Sequence, residues 1–372
     1  GLALLTGGAG RLLGACGPFT DFTDPAFCPF VLEILTLGIT TGTTATTFAP
    51  ASPATRLQMA AFLSRTVDSV LRRGSRRAAL DQFSSPTAVQ SLAATTIGTA
   101  PYLLRSDGAD VWVANNFSGS GGTVSRVRGS DGKLLETWTG ATSAFGVLAA
   151  MGRVLVTGQT DPGNLYAIEP AKAAGAVTTV ASSLGRFPTA IGFDGARIWV
   201  ATLDGVSIVT PGASIPWTVT NVPGLLVASA AIYDGSNMWT TLNNAGKLVK
   251  LDAGGAILQT VTVGAGPEFA AFDGSNIWVP NSLSDSVSVV RASSGAVLAT
   301  LTGNGIGGPF ATAFDGQRVL VTGFSVSLSL WKAADLSPLG SVNIGASSYG
   351  VCSDGINFWI TLSTTPGRLL RF

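Results

Sequence analysis

The residues best placed to do chemistry in this chain are aspartates that recur in one setting, a strand end followed by Asp-Gly and then a tryptophan five positions after the aspartate. Asp107, Asp194, Asp234, Asp273 and Asp354 lead in this way to Trp112, Trp199, Trp239, Trp278 and Trp359, and Asp315 leads to Leu320. A degenerate copy stands at Met151-Gly152 before Val154-Leu155. A carboxylate beside an aromatic face is a combination that could stack and hydrogen-bond a ligand, and its recurrence would make a repeated site. On the plainer reading these residues build the fold, since Asp-Gly makes a tight hairpin turn and the large ring fills space between layers of sheet.

Other chemistry is largely excluded. The 372 residues contain no histidine, which removes the commonest general base and metal ligand near neutral pH. Cys16, Cys28 and Cys352 form no CxxC or Cys/His cluster, so neither a zinc site nor any other metal or cofactor is expected. Cys16 and Cys28 either close a small disulfide in an oxidising compartment or remain two thiols, and Cys352 reads as a core residue. No P-loop, GxSxG or paired-carboxylate motif is present. With 22 basic and 21 acidic residues the net charge is +1, which offers no field for nucleic acid. No apolar run reaches about 18 residues, so no membrane span is expected.

The elements that must position these residues follow from the spacing. From Asp107 through Met151, Asp194, Asp234, Asp273 and Asp315 to Asp354, the period stays near forty residues, and each unit carries four short β-like segments. Seven such units predict a mainly β fold, a seven-bladed β-propeller of four-stranded blades over residues 88–372. The last unit ends after three strands, and residues 89–98 resemble a fourth strand. They are expected to pair with the C-terminal blade and close the ring, removing two open edges.

Ahead of the propeller, residues 1–18 form an apolar, glycine-punctuated arm without helical periodicity, and Leu13–Cys16 loosely resembles a lipoprotein cleavage box interrupted upstream by Arg11. Residues 19–74 read as a small α-helical module. Pro29 suits a first helical turn, and Thr55 with Gln58 makes a capping box before a second amphipathic helix. Residues 75–87 are a linker, and the arginines at 72, 73, 76 and 77 suit a helix end.

Within the module, FTD (22–24), CPFVLEIL (28–35), GITTG (38–42), FAP (48–50) and TRLQMAAFLSR (55–65) together resemble one S-layer homology motif. The resemblance implies a bacterial cell-surface setting and a cell-wall polysaccharide as partner, with Arg56 at the position that would meet an anionic sugar substituent. Such motifs work in threes, so a single copy also suggests self-association into an oligomer, filament or surface layer. The threonine-rich loop containing Thr43, Thr44, Thr46 and Thr47 is either a plain loop or a carrier of O-glycans on an extracellular protein.

The repeat region is similar to YVTN- and NHL-like surface and lyase propellers, a likeness carried by Trp112-Val113-Ala114-Asn115 and Trp278-Val279-Pro280-Asn281. The lyase branch of that resemblance implies chemistry that needs histidine and a divalent metal, and a chain without histidine does not fit it. A non-enzymatic structural, assembly or adhesion protein of the cell surface is therefore expected, with a glycan- or peptide-binding propeller as the alternative. A ligand site on a propeller is expected where the second-to-third strand loops and the blade crossings converge, which brings forward Asn115, Asn243, Asn281 and Glu268.

Overall fold

The computed structural model describes residues 18–21, 28, 31, 34–35, 39–56, 58–63, 66, 93–116 and 121–372. The chain divides into two compact units, Gly1–Gly74 and Ser75–Phe372.

In the first unit, residues 56, 58–63 and 66 are helical. The backbone N–H of Thr55 donates to Gln58 Oε1 at 2.8 Å, and that of Gln58 donates to Thr55 Oγ1 at 3.2 Å. This reciprocal capping box satisfies donors that the first helical turn leaves open. The Asp21 carboxylate accepts the backbone N–H groups of Phe48 and Ala49 at 2.8 and 2.7 Å, and these bonds hold its carboxyl below the usual carboxylate range. Buried Phe19 packs on Phe48 with ring centroids 5.5 Å apart. Phe19 and Asp21 thus hold this corner together; the Phe-Thr-Asp triplet at 22–24 lies outside the described residues. Cys28 is buried and disulfide-bonded, whereas Cys16, the arm through residue 17 and the arginines at 72, 73, 76 and 77 lie outside the described residues.

Among the described residues the second unit has 28 strands, numbered β1–β28 in chain order from β1 (Ala93–Thr96) to β28 (Arg368–Arg371), in seven four-stranded antiparallel sheets. Blades 1 to 6 are β2–β5, β6–β9, β10–β13, β14–β17, β18–β21 and β22–β25. Blade 7 has the order β26-β27-β28-β1, with Ala94 opposite Leu370 and Thr95 opposite Leu369. The expected segment 89–98 is represented by this shorter strand, residues 89–92 lying outside the described set.

Packing follows from the sequence pattern. The second strand of each blade is buried almost end to end, as in β3 (Asp110–Asn115), β11 (Ile198–Thr202) and β19 (Asn276–Asn281). Each blade must therefore be covered on both faces, and neighbouring blades supply the cover. Fourth strands are outermost, and five of them, β5, β9, β17, β21 and β25, pair through a register shift. Such bulges twist an edge away from further pairing.

Candidate functional site

The Asp-Gly turn is a two-residue hairpin loop. Phe272 pairs with Ile277, the Asp273 N–H donates to the Asn276 carbonyl at 3.0 Å, and Gly274 takes φ +96° at the first loop position. Glycine is needed there because a Cβ would be strained at that φ. The aspartate stands outside the loop, at the strand end, where its carboxylate works as an acceptor. Asp273 Oδ1 accepts the N–H groups of Ser275 and Asn276 at 2.8 and 2.7 Å, and Oδ2 accepts the indole N–H of Trp278 at 2.7 Å.

The same indole bond joins Asp107 to Trp112, Asp194 to Trp199, Asp234 to Trp239 and Asp354 to Trp359, at 2.6 to 2.8 Å. In the sixth blade, where Leu320 replaces tryptophan, Arg318 Nε donates to Asp315 Oδ2 at 2.8 Å. Asp107, Asp194 and Asp234 lie below the ordinary carboxylate range. Burial is the largest influence on each and works upward, but hydrogen bonds from the indole and the backbone together with a nearby cation outweigh it. Each tryptophan is at most 1% exposed and packs into the next blade, as Trp239 does against Ile277, Val279 and Val290. These repeated groups are engaged with one another and present neither a free carboxylate nor a free ring face.

The expected loop-face residues separate into two kinds. Asn115 and Asn281 are 1% and 0% exposed. Their amide nitrogens donate within the blade, to Thr123 and Ser125 hydroxyls and to Ser286 and Ser288 hydroxyls respectively, at 3.0 to 3.1 Å. Each packs where a Cβ on the glycine of the preceding crossing, Gly98 or Gly264, would collide with it. They are matched strand-end struts, and each amide oxygen lacks a protein partner. Asn243 and Glu268, in contrast, come together across blades 4 and 5, with Asn243 Nδ2 donating to Glu268 Oε1 at 2.8 Å. Burial pushes the Glu268 carboxyl up to about 7 against the opposing bonds from Asn243 and Ser282. This pair is a half-buried acid that titrates near neutrality, which neither its type nor its spacing announces in the sequence. Beyond it, Arg186 holds Asp204 with Nε and Nη2 at 2.8 to 3.1 Å on the exposed surface.

Next to this face the inner strands and the crossing into β18 carry a closed set of aromatic rings. Tyr102, Phe145, Phe269, Phe310 and Tyr349 contact in sequence and back to Tyr102, with centroids 4.6 to 5.8 Å apart. The seven inner strands also line a central cavity of about 390 Å³. Cys352 sits inside a core cluster with Trp359 and Leu369, and burial pushes its thiol up to about 12. Among the described residues no three His, Cys, Asp or Glu side chains converge as a metal site, and no helix is long and apolar enough to cross a membrane.

In the first unit, Arg56 is exposed on the opening turn of the helix that the capping box starts. A 320 Å³ cleft nearby is lined by Thr40–Thr43, Phe48–Pro50 and Gln58. The Thr43 and Thr44 hydroxyls each bond to the Thr47 hydroxyl, at 2.9 and 2.5 Å, and the Thr46 backbone N–H donates to Thr44 Oγ1.

Comparison with known proteins supports both units separately. Residues 18–60 match the family profile described as the S-layer homology domain. No curated protein matches the chain. Among solved structures, a streptogramin B lyase is similar at 14% identity and TM-score 0.60, covering 75% of this chain and 95% of its own. A catalytically inactive variant of virginiamycin B lyase from Staphylococcus aureus with quinupristin is similar at 16% identity and TM-score 0.59, covering 75% and 98%. The computationally designed Ika8 protein is similar at 12% identity and TM-score 0.56, covering 74% and 97%. At these identities the likeness is one of fold. Residues 18–60 are an S-layer homology domain, and the chain from β1 onward is a seven-bladed β-propeller.

Proposed function

We propose that the protein is a non-enzymatic component of the bacterial cell surface, in which the S-layer homology domain tethers the chain to cell-wall polysaccharide or joins it to further copies, and the propeller is the displayed part. The reading is carried by one combination: an S-layer homology domain attached to a propeller whose repeated aspartates and tryptophans hold each other. The lyases of similar fold do not extend their activity to this chain, because a shared propeller leaves the site chemistry open, and a chain without histidine lacks the side chain best suited to general acid–base work at neutral pH.

Co-sedimentation with purified cell-wall sacculi tests the tether. The full chain is expected to pellet with sacculi, and Arg56→Ala is expected to weaken this, since a guanidinium offers paired donors to an anionic sugar group. Failure of the full chain to pellet would sink the tether, and electron microscopy of native material showing only dispersed monomers would count against assembly. A second reading, a propeller that binds a glycan or peptide on its loop face, is favoured by the half-buried Glu268–Asn243 pair. A glycan array with no signal, or an Asn243→Ala variant that binds unchanged, removes it.

A further inference from the structure

Neighbouring blades meet at seven seams. On the face that carries the first-to-second and third-to-fourth strand turns, six of them are crossed by a cation among the described residues. Arg126 of blade 1 donates to the Pro170 carbonyl of blade 2 at 3.2 Å. Lys250 of blade 4 donates to the Ala292 carbonyl of blade 5 at 3.3 Å, and Arg371 of blade 7 to the Ser130 carbonyl of blade 1 at 2.9 Å. Arg197 of blade 3 donates to the Ala253 carbonyl of blade 4. Arg153 lies over Trp217 between blades 2 and 3, and Arg318 over Phe358 between blades 6 and 7, at 5.8 and 5.3 Å.

Among the described residues the seam between blades 5 and 6 lacks this strap, and the sequence departs from the repeat there. Trp278 faces Val289, where Trp112, Trp239 and Trp359 face Arg126, Lys250 and Arg371. Asn276 stands three residues after its aspartate, where Arg197 and Arg318 stand after theirs. A groove of about 730 Å³ opens beside this seam, within the range of small-molecule sites, about 300–1,000 Å³.

A second departure leaves charge in the groove. The cation that ends a third strand is matched in blades 1 and 6 by an acid three residues on: Arg128 with Asp131 at 3.0 Å and Lys332 with Asp335 at 3.2 Å. In blade 5 that cation is Arg291 and the matching residue is Ser294. Arg291 lines the groove, is exposed, and its guanidinium has no hydrogen bond or ion pair among the described residues. The acids that also line it are committed, Asp335 to Lys332 and Ser337 and Asp234 to Trp239.

We propose that this groove binds a carboxylate-bearing saccharide. A guanidinium fork fits a carboxylate with two parallel bonds. Phe272, Leu298 and Leu336 give an apolar wall for the face of a sugar ring, and the hydroxyls of Ser236, Ser275 and Ser293 match ring hydroxyls. Those hydroxyls favour a sugar over an acidic peptide. The groove lies on the opposite face from Glu268 and does not depend on the ligand of the S-layer homology domain, so loss of wall binding in Arg56→Ala leaves it untouched.

Saturation-transfer NMR on the full chain with D-glucuronate, D-glucose and N-acetyl-aspartate amide as probes decides it. Saturable binding of glucuronate is expected, with no response to glucose, and at least a tenfold loss in Arg291→Ala. Ser294→Asp supplies the acid seen in blades 1 and 6 and is expected to abolish binding as well. It is an exposed substitution, so unchanged circular dichroism and thermal midpoint would keep that result separate from misfolding. No response to glucuronate, binding unchanged in either variant, or N-acetyl-aspartate amide binding as well as glucuronate would overturn the proposal.

Discussion

An indole N–H on a fully buried ring costs about 1–3 kcal/mol when it lacks an acceptor. Trp278 has no exposed surface, and Asp273 supplies the acceptor while also holding two backbone N–H groups. Asp273→Ala is expected to destabilise the chain by about 2–4 kcal/mol, measured as a lower urea midpoint with unchanged slope; a loss no larger than that of a surface substitution would refute the clamp. Glu268 predicts a pH effect of defined sign. Its carboxyl is raised from 4.5 to about 7 in the folded chain, so the native state holds the proton that the unfolded state releases. The stability linked to it is fully present below about 4.5, falls as pH rises from there to about 7, and stays lost above. The loss is on the order of 1–3 kcal/mol. Glu268→Gln should flatten that part of the stability–pH curve in denaturation series at pH 4 to 8, and a curve as steep as the wild type would contradict the assignment.

At the scale of elements, the capping box and the closing strand carry separate predictions. Thr55→Ala removes the hydroxyl that accepts the Gln58 N–H and should cost its helix about 1 kcal/mol, read as lost helical signal in the first unit. Ile97, just after β1, is buried with Trp359 and Leu369, and its N–H donates to the Gly367 carbonyl. Ile97→Ala should cost about 2–5 kcal/mol and speed proteolysis at β28 (Arg368–Arg371), although the two sites lie at opposite ends of the propeller sequence; unchanged cleavage there would argue against the closed ring.

The blade count was legible because Asp-Gly recurs near every fortieth residue, and strand burial was legible because second strands open on apolar runs such as IWVA (198–201). The fate of strand ends was not. Asn115 and Asn281 look like loop residues in sequence, but a glycine crossing packs over each of them. That contact depends on a neighbouring segment rather than on local pattern. The Asn243–Glu268 bond joins two blades, so no spacing within one unit encodes it. The Asp–Trp bond was the reverse case: its five-residue spacing was plain, and only geometry assigned both side chains to each other.

At the scale of the molecule, the blades are radial, and distant blades touch at the centre. Blades 1, 2, 5, 6 and 7 contribute Tyr102, Phe145, Phe269, Phe310 and Tyr349 to the closed aromatic set. Ala190 and Ala230 of blades 3 and 4 line the central cavity, where small side chains leave the larger rings room. Phe310 contacts Phe269, Phe324 and Tyr349 and is 7% exposed, against 49% for Phe324. Truncating a buried phenylalanine costs about 3–5 kcal/mol, whereas an exposed one forfeits far less because its ring was never fully removed from water. Phe310→Ala should therefore lower the thermal midpoint by many degrees and Phe324→Ala by few, and because one hub serves several blades the Phe310→Ala transition should stay single rather than split. Equal shifts for the two variants, or a Phe310→Ala melt resolved into separate steps, would show that the seams between neighbours hold the ring without the centre.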